Sequence, residues 1–353
     1  MRKKQSLVLL GAGLVFGVGA IFLMLQGNPK NMGLCIACFV RDIAGGLHLH
    51  SAQVVQYIRP EIIGLILGSF ILSLISKEFK TRGGSSPLTR LTIGFLVMVG
   101  ALVFLGCPMR MVLRMSAGDL NAWIGFIGFV LGVFAGTLFL KKGFSLRKTY
   151  DLPALGGYIM PVFQIVLFIL LIVAPGLLAF SVEGPGASRA PIWIALVVTL
   201  ILGALVQRTR LCQAGGVRDV IMFNDWTLMV GTIGIFVAAL ILDLLTNNFN
   251  LGLDGQPIAH TEAVWNIVGL FVVGLGSVLA GGCPMRQLVL TGTGNVDSGL
   301  FVIGMGLGAA FSHNFKLASS GEGTTINGRV AVIVALVLLL LIGFVNSRRE
   351  NGN

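Results

Sequence analysis

The chain has 353 residues, of which 55% are hydrophobic and 11% charged, about half the charged fraction of a soluble domain. With a mean hydropathy of +0.92, that balance excludes an ordinary soluble fold, and the net charge of +11 does not mark a nucleic-acid binder. Lysines and arginines gather in short loops between apolar runs, as in a membrane protein, and the five cysteines are too scattered for a disulfide framework.

The chain opens on Met-Arg-Lys-Lys and an apolar run to about Met24 with no small-residue cleavage site, which predicts an uncleaved first span over 6–26. Further runs long enough to cross a bilayer follow at 60–76, 90–106, 120–140, 160–182, 190–207, 226–245, 263–281, 296–314 and 329–346. Pro60 and Pro161 are expected in first helical turns, where the missing N–H costs little. In a ten-span chain the basic clusters fall on one side: Arg2, Lys3 and Lys4; Lys77, Lys80, Arg82 and Arg90; Lys141, Lys142, Arg147 and Lys148; Arg208 and Arg210; Arg348 and Arg349. The loop at 246–262 faces the other way and has no Lys or Arg. Both termini are therefore expected in the cytoplasm.

Four connections, 33–50, 106–118, 211–224 and 282–294, are too apolar and Gly-rich for ordinary loops yet too short to span. Such segments dip into the bilayer and return, which requires protein or a water-filled cavity to cover their backbone. They form two matching pairs. Leu34-Cys35-Ile36-Ala37-Cys38-Phe39-Val40-Arg41-Asp42 resembles Leu211-Cys212-Gln213-Ala214-Gly215-Gly216-Val217-Arg218-Asp219, and Gly106-Cys107-Pro108-Met109-Arg110 is identical to Gly282-Cys283-Pro284-Met285-Arg286. The offsets are 177 and 176 positions, and at the latter Gly118, Gly128 and Gly132 match Gly294, Gly304 and Gly308.

This is a duplication. The expected fold is an all-α polytopic membrane protein of about ten spans and four re-entrant short helices. It divides into a first repeat over 1–150, a linking span over 151–185, a second repeat over 186–320, and a terminal span and tail over 321–353. The single linking span would invert the second repeat relative to the first, a recurrent transporter design. Glycines at every fourth position in 128–136 and at 304 and 308 are expected to let helices pack closely.

Proline directly after cysteine is a good first helical residue, so Cys107 and Cys283 should each stand at the amino end of a short helix. There the free N–H groups and the positive end of the dipole favour anions and a polarisable thiolate. The expected substrate path comprises Cys35, Cys107, Cys283, Cys212 and Cys38 with Arg110, Arg286, Arg41 and Arg218, since an arginine in an apolar region is by default functional. Asp42 and Asp219 are the neutralising neighbours of Arg41 and Arg218, and those two pairs could equally serve only to fix the re-entrant fold. Met109 and Met285 would add soft sulfur surface. Cys35 and Cys38 have redox-motif spacing, but no βαβ context surrounds them. The histidines (His48, His50, His260, His313) read as loop or interface residues, with no metal or cofactor site expected.

At these residues the chain resembles the YeeE/YedE family of sulfur-transport membrane proteins, and more closely its YedE-type branch assigned to selenium. The resemblance covers nearly the whole chain. It rests on Asn31-Met-Gly-Leu-Cys-Ile-Ala-Cys-Phe-Val-Arg-Asp42, Tyr57-Ile-Arg-Pro-Glu61, Gly255-Gln-Pro-Ile-Ala-His-Thr261 and both Gly-Cys-Pro-Met-Arg segments. It implies an hourglass-shaped inner-membrane protein whose re-entrant segments meet at a constriction, where cysteines pass thiosulfate along through sulfur hydrogen bonds. Cys35 would then lie on the outer side, Cys107 near the centre and Cys283 on the inner side. Cys38 and the proline after each central cysteine depart from that pattern. The selenium assignment comes from the resemblance and from no residue here.

The expectation is uptake, not catalysis, of a small sulfur or selenium anion, with the lipid bilayer as surroundings and no nucleic acid involved. No nucleotide-binding motif is present, so a gradient or cytoplasmic trapping would supply the energy. An intracellular sulfurtransferase or selenium-handling protein is a logical partner. The rival reading is a membrane thiol oxidoreductase or sulfur/selenium transferase that uses Cys107 or Cys283.

Overall fold

The computed structural model describes residues 2–348; Arg349 lies outside the described residues. In chain order the helices are α1 (Arg2–Leu25), α2 (Ile36–Gly46), α3 (Pro60–Ile75), α4 (Pro87–Phe104), α5 (Pro108–Ser116), α6 (Leu120–Lys141), α7 (Ala154–Val173), α8 (Gly184–Ala187), α9 (Ile192–Thr209), α10 (Gln213–Phe223), α11 (Thr227–Leu245), α12 (Ala263–Ala280), α13 (Pro284–Gly292), α14 (Val296–Asn314) and α15 (Ile326–Arg348). Among the described residues, ten helices are long and apolar enough to cross a membrane. The protein is an all-α polytopic membrane protein. Its only paired strands among the described residues join Arg82–Gly83 to Tyr150–Asp151.

One expected span moves. The fifth runs over Ala154–Val173, not 160–182, so Pro161 sits inside α7 and not in its first turn. Gly156 and Gly157 weaken the apolar signal at the true start, while Pro175 ends the run early. A proline within a membrane helix is tolerated because neighbouring groups re-satisfy the freed backbone.

The packing is reciprocal between the two halves of the chain. α1 packs along α11 and α3 along α9; α4 packs along α14 and α6 along α12. Under the repeat α4 corresponds to α12 and α6 to α14, so the last two contacts exchange into one another, and α4 and α12 also touch each other. Glycine rows make the close approaches. A Cβ at Gly132 would collide with the Phe271 carbonyl on α12, and one at Gly304 with the Leu91 carbonyl on α4. The outward faces of α7 and α15 expose Ile169, Val334 and Leu341 among other large apolar residues, as lipid contact requires.

Two sets of connections gather at opposite ends of the bundle. At one end Lys80 and Arg82 donate backbone N–H groups to Thr293 and Gly294, and Asp297 accepts from the backbone of Gly84 and Ser85. At the other, Arg59 donates to the carbonyls of Pro185 and Ser188, and Arg110 to that of Ile258. The first end holds most of the loop lysines and arginines.

Candidate functional site

Each of the four short helices α2, α5, α10 and α13 has a cysteine as its N-cap: Cys35, Cys107, Cys212 and Cys283. All four have extended backbone there, which proline enforces on Cys107 and Cys283. On Cys35 and Cys212 the sulfur itself is the cap. The Cys38 N–H donates to Cys35 Sγ at 3.4 Å, and the Gly215 N–H to Cys212 Sγ at 3.3 Å. A thiol thus takes the place of the usual Ser or Asp oxygen. The amino ends of α2 and α10 therefore point a free N–H group at sulfur, whereas Cys107 and Cys283 make no such cap bond, and the Cys283 N–H donates instead to Cys212 Sγ at 3.3 Å.

The sulfurs pair across the helices. Cys35 Sγ and Cys107 Sγ stand 4.0 Å apart, and Cys212 Sγ and Cys283 Sγ 3.4 Å apart. A short polar link joins the pairs. Cys283 Sγ donates to Gln213 Oε1 at 3.1 Å, while Gln213 Nε2 donates to Met109 Sδ at 3.4 Å, two residues from Cys107. All of these side chains are buried and all five cysteines are free. Cys38 lies beside the series, where Arg110 Nη1 approaches its sulfur at 3.8 Å.

The four arginines singled out in the sequence have different fates. Arg110 is fully enclosed, with its guanidinium spent on the carbonyls of Asn31, Leu105, Pro257 and Ile258. Arg41 binds Asp42 at 2.7 Å, and Asp42 also accepts from Arg59 at 2.7 Å, so two guanidiniums share one buried carboxylate. Arg218 binds Asp219 at 2.7 Å with one third of its side chain exposed. Arg286 has a buried Nη1 with no partner. Sequence reading missed Arg59 and the buried Arg114–Asp119 pair at 2.6 Å, whose partners only the fold brings together.

Among the histidines, His50 Nε2 lies 3.1 Å from the Arg41 carbonyl and its ring stacks on His313 at 4.6 Å. His260 Nε2 lies 2.8 Å from the Val103 carbonyl.

A cavity of about 190 Å³ adjoins Cys212, lined by Arg210, Arg218, Ser277, Gly282 and Arg286 among others. Arg210 in the cavity wall, Gln213 on Cys283 and Ser277, also in the wall, were not expected on the substrate path. At the repeat spacing the first half has Gly33, Ile36 and Ala101 in their places. Reading the duplication for its differences, and not only its identities, would have found them.

A family model described as Sulphur transport matches residues 2–135 and 208–346. The match takes in all four short helices and leaves α7 and most of α9 outside. Over 118 residues the chain is 36% identical to the thiosulfate transporter TsuA of Spirochaeta thermophila. That alignment covers 33% of this chain and 35% of the relative, so this chain spans about a third of the relative's length.

Proposed function

Because the chain belongs to the sulphur transport family, we propose that it is a membrane transporter for uptake of a small sulfur-containing anion, thiosulfate in the first instance. One observation carries the reading: buried sulfur runs from Cys35 through Cys107 and Met109, by way of Gln213, to Cys283 and Cys212. A hard, hydrated anion finds nothing in that series to replace its water shell. A terminal sulfur can accept from one thiol after another, while helix amino ends offset the negative charge. The relative's name, thiosulfate transporter, supports the same substrate class.

In this reading the two halves are inverted copies, each supplying one sulfur pair, and the passage narrows at Met109 and Gln213. The lysine- and arginine-rich end faces the cytoplasm of the inner membrane. Arg110 holds the neck by tying α5 to the backbone of 105 and 257–258. Arg41 and Arg59 with Asp42 brace α2, and Arg218 and Arg286 stand at the exit. Cys38 adds a sulfur at the entry. A selenium analogue such as selenite is the second candidate substrate, and a cytoplasmic sulfurtransferase a fitting acceptor.

The test is uptake of radiolabelled thiosulfate and selenite into proteoliposomes. We expect thiosulfate flux in the parent and a drop of about tenfold or more in Cys107→Ser and Cys283→Ser, the effect of roughly 1.4 kcal/mol on the rate-limiting step. Equal flux in parent and variants would remove the thiol mechanism. Absence of both fluxes in the parent would remove the substrate class.

A further inference from the structure

The duplicated Gly-Cys-Pro-Met-Arg motif puts the same arginine in two unlike settings. Arg110 has its donors taken by four backbone carbonyls. Arg286, its counterpart, keeps a buried Nη1 without a partner and lines an open cavity. The same contrast holds for Arg41, buried on Asp42, and Arg218, part-exposed on Asp219 at the cavity wall. Ser277 adds a buried hydroxyl that has no partner for its oxygen. Arg210 completes the ring from the end of α9, in the left-handed conformation at φ 59°.

Leaving polar groups buried and unpaired is costly, and an uncompensated cation in a membrane protein costs more. Asp219 neutralises Arg218. No acidic side chain among the described residues comes within ion-pair distance of Arg210 or Arg286. Glu78 acts on Arg286 only at longer range, and its Oε2 is taken by Gln207 at 3.2 Å. Half-buried Arg286 and exposed Arg210 therefore have no ion-pair partner among the described residues, and the burial cost falls on Arg286 Nη1 and the Ser277 hydroxyl, around a space of about 190 Å³. That is room for roughly six waters, or for one small anion and part of its hydration shell.

We propose that this cavity is a receiving site for a doubly charged tetrahedral sulfur oxyanion. Arg210, Arg286 and the Ser277 hydroxyl hold its oxygens, and the Cys212 thiol takes its terminal sulfur. The first half has no such site, because Gly33 and Ala101 stand where Arg210 and Ser277 stand here. The asymmetry distinguishes the two ends: around Cys35 and Cys38 the guanidiniums are tied to carbonyls and Asp42, whereas around Cys212 Arg210 and Arg286 have no such ion-pair partner and Arg286 keeps a donor free. The proposal rests on the transport reading for its ligand, but binding tests it apart from flux.

The experiment is equilibrium binding of radiolabelled thiosulfate to the purified full chain in nanodiscs, with thermal unfolding as the fold control and proteoliposome uptake measured in parallel. Arg210→Ala, Arg286→Gln and Ser277→Ala should unfold like the parent. The two arginine variants should bind thiosulfate at least tenfold more weakly, and the serine variant about threefold. Cys212→Ala should lose the preference for thiosulfate over sulfate while still binding both.

Unchanged binding in Arg210→Ala, which lies at the surface and leaves the fold alone, overturns the site even if uptake by the parent is normal. No binding to the parent does the same. Loss of binding in the arginine variants with no uptake by the parent keeps the site and removes the transport reading. Competition by inorganic phosphate or by anionic nanodisc lipid that matches thiosulfate would make it a general phosphate or headgroup site, and would overturn the sulfur assignment.

Discussion

Asp42 and Asp219 occupy matching positions of the repeat but face different electrostatic problems. Asp42 is the shared counterion of Arg41 and Arg59, and all three are buried. Replacing it by asparagine leaves two guanidiniums without charge compensation, a change that costs about 3–5 kcal/mol in comparable buried pairs. Asp219 serves one arginine whose side chain is one third exposed, so its replacement should cost less than about 1 kcal/mol. Thermal unfolding in detergent should therefore show a large loss for Asp42→Asn and a small one for Asp219→Asn; equal losses would refute this account of Asp42. At this scale the sequence was half legible. The cysteine caps could be read because proline and the duplication mark them. Arg59 and the Arg114–Asp119 pair could not, since nothing local brings Arg59 to Asp42 or tells an enclosed arginine from an exposed one. The divergent fates of Arg110 and Arg286 were hidden for the same reason, because identical pentapeptides have different neighbours.

Helix contacts in this bundle are set by which glycines face a partner backbone. On α14, Gly304 meets the Leu91 carbonyl, whereas a Cβ at Gly306, two residues on, would meet nothing within 4 Å. Gly304→Ala should lower stability by about 1–3 kcal/mol through overpacking. Gly306→Ala should raise it by up to about 1 kcal/mol through helix propensity. Opposite shifts in melting temperature check the pair; a shared direction would mean that the α4–α14 contact is looser than described. The spans themselves were legible because about 20 apolar residues in a row have few other uses. The four short helices α2, α5, α10 and α13 were legible from the shortness of their segments. The start of α7 was not, because two glycines blurred the apolar run and Pro161 suggested a boundary where the helix simply continues.

The whole molecule is electrically one-sided and its cysteines are unequally reachable. Cys212 borders the cavity at the basic end and is 5% exposed, while Cys35 and Cys38 are fully covered. A membrane-impermeant maleimide should therefore modify Cys212 first, in inside-out vesicles and not in right-side-out ones, and thiosulfate should slow the reaction. Labelling from the right-side-out face would reverse the proposed orientation. The exchange of partners between halves, with α1 on α11 and α3 on α9, also bears on how the chain is made. Once α1 leaves the ribosome, its main packing partner is missing until Thr227–Leu245 has been synthesised, roughly 10–40 s later at ordinary elongation rates. The first half can form only its own contacts, such as α5 on α6 and α2 on α3, during that interval, so an early stop leaves α1 and α3 without the partners that cover most of their faces.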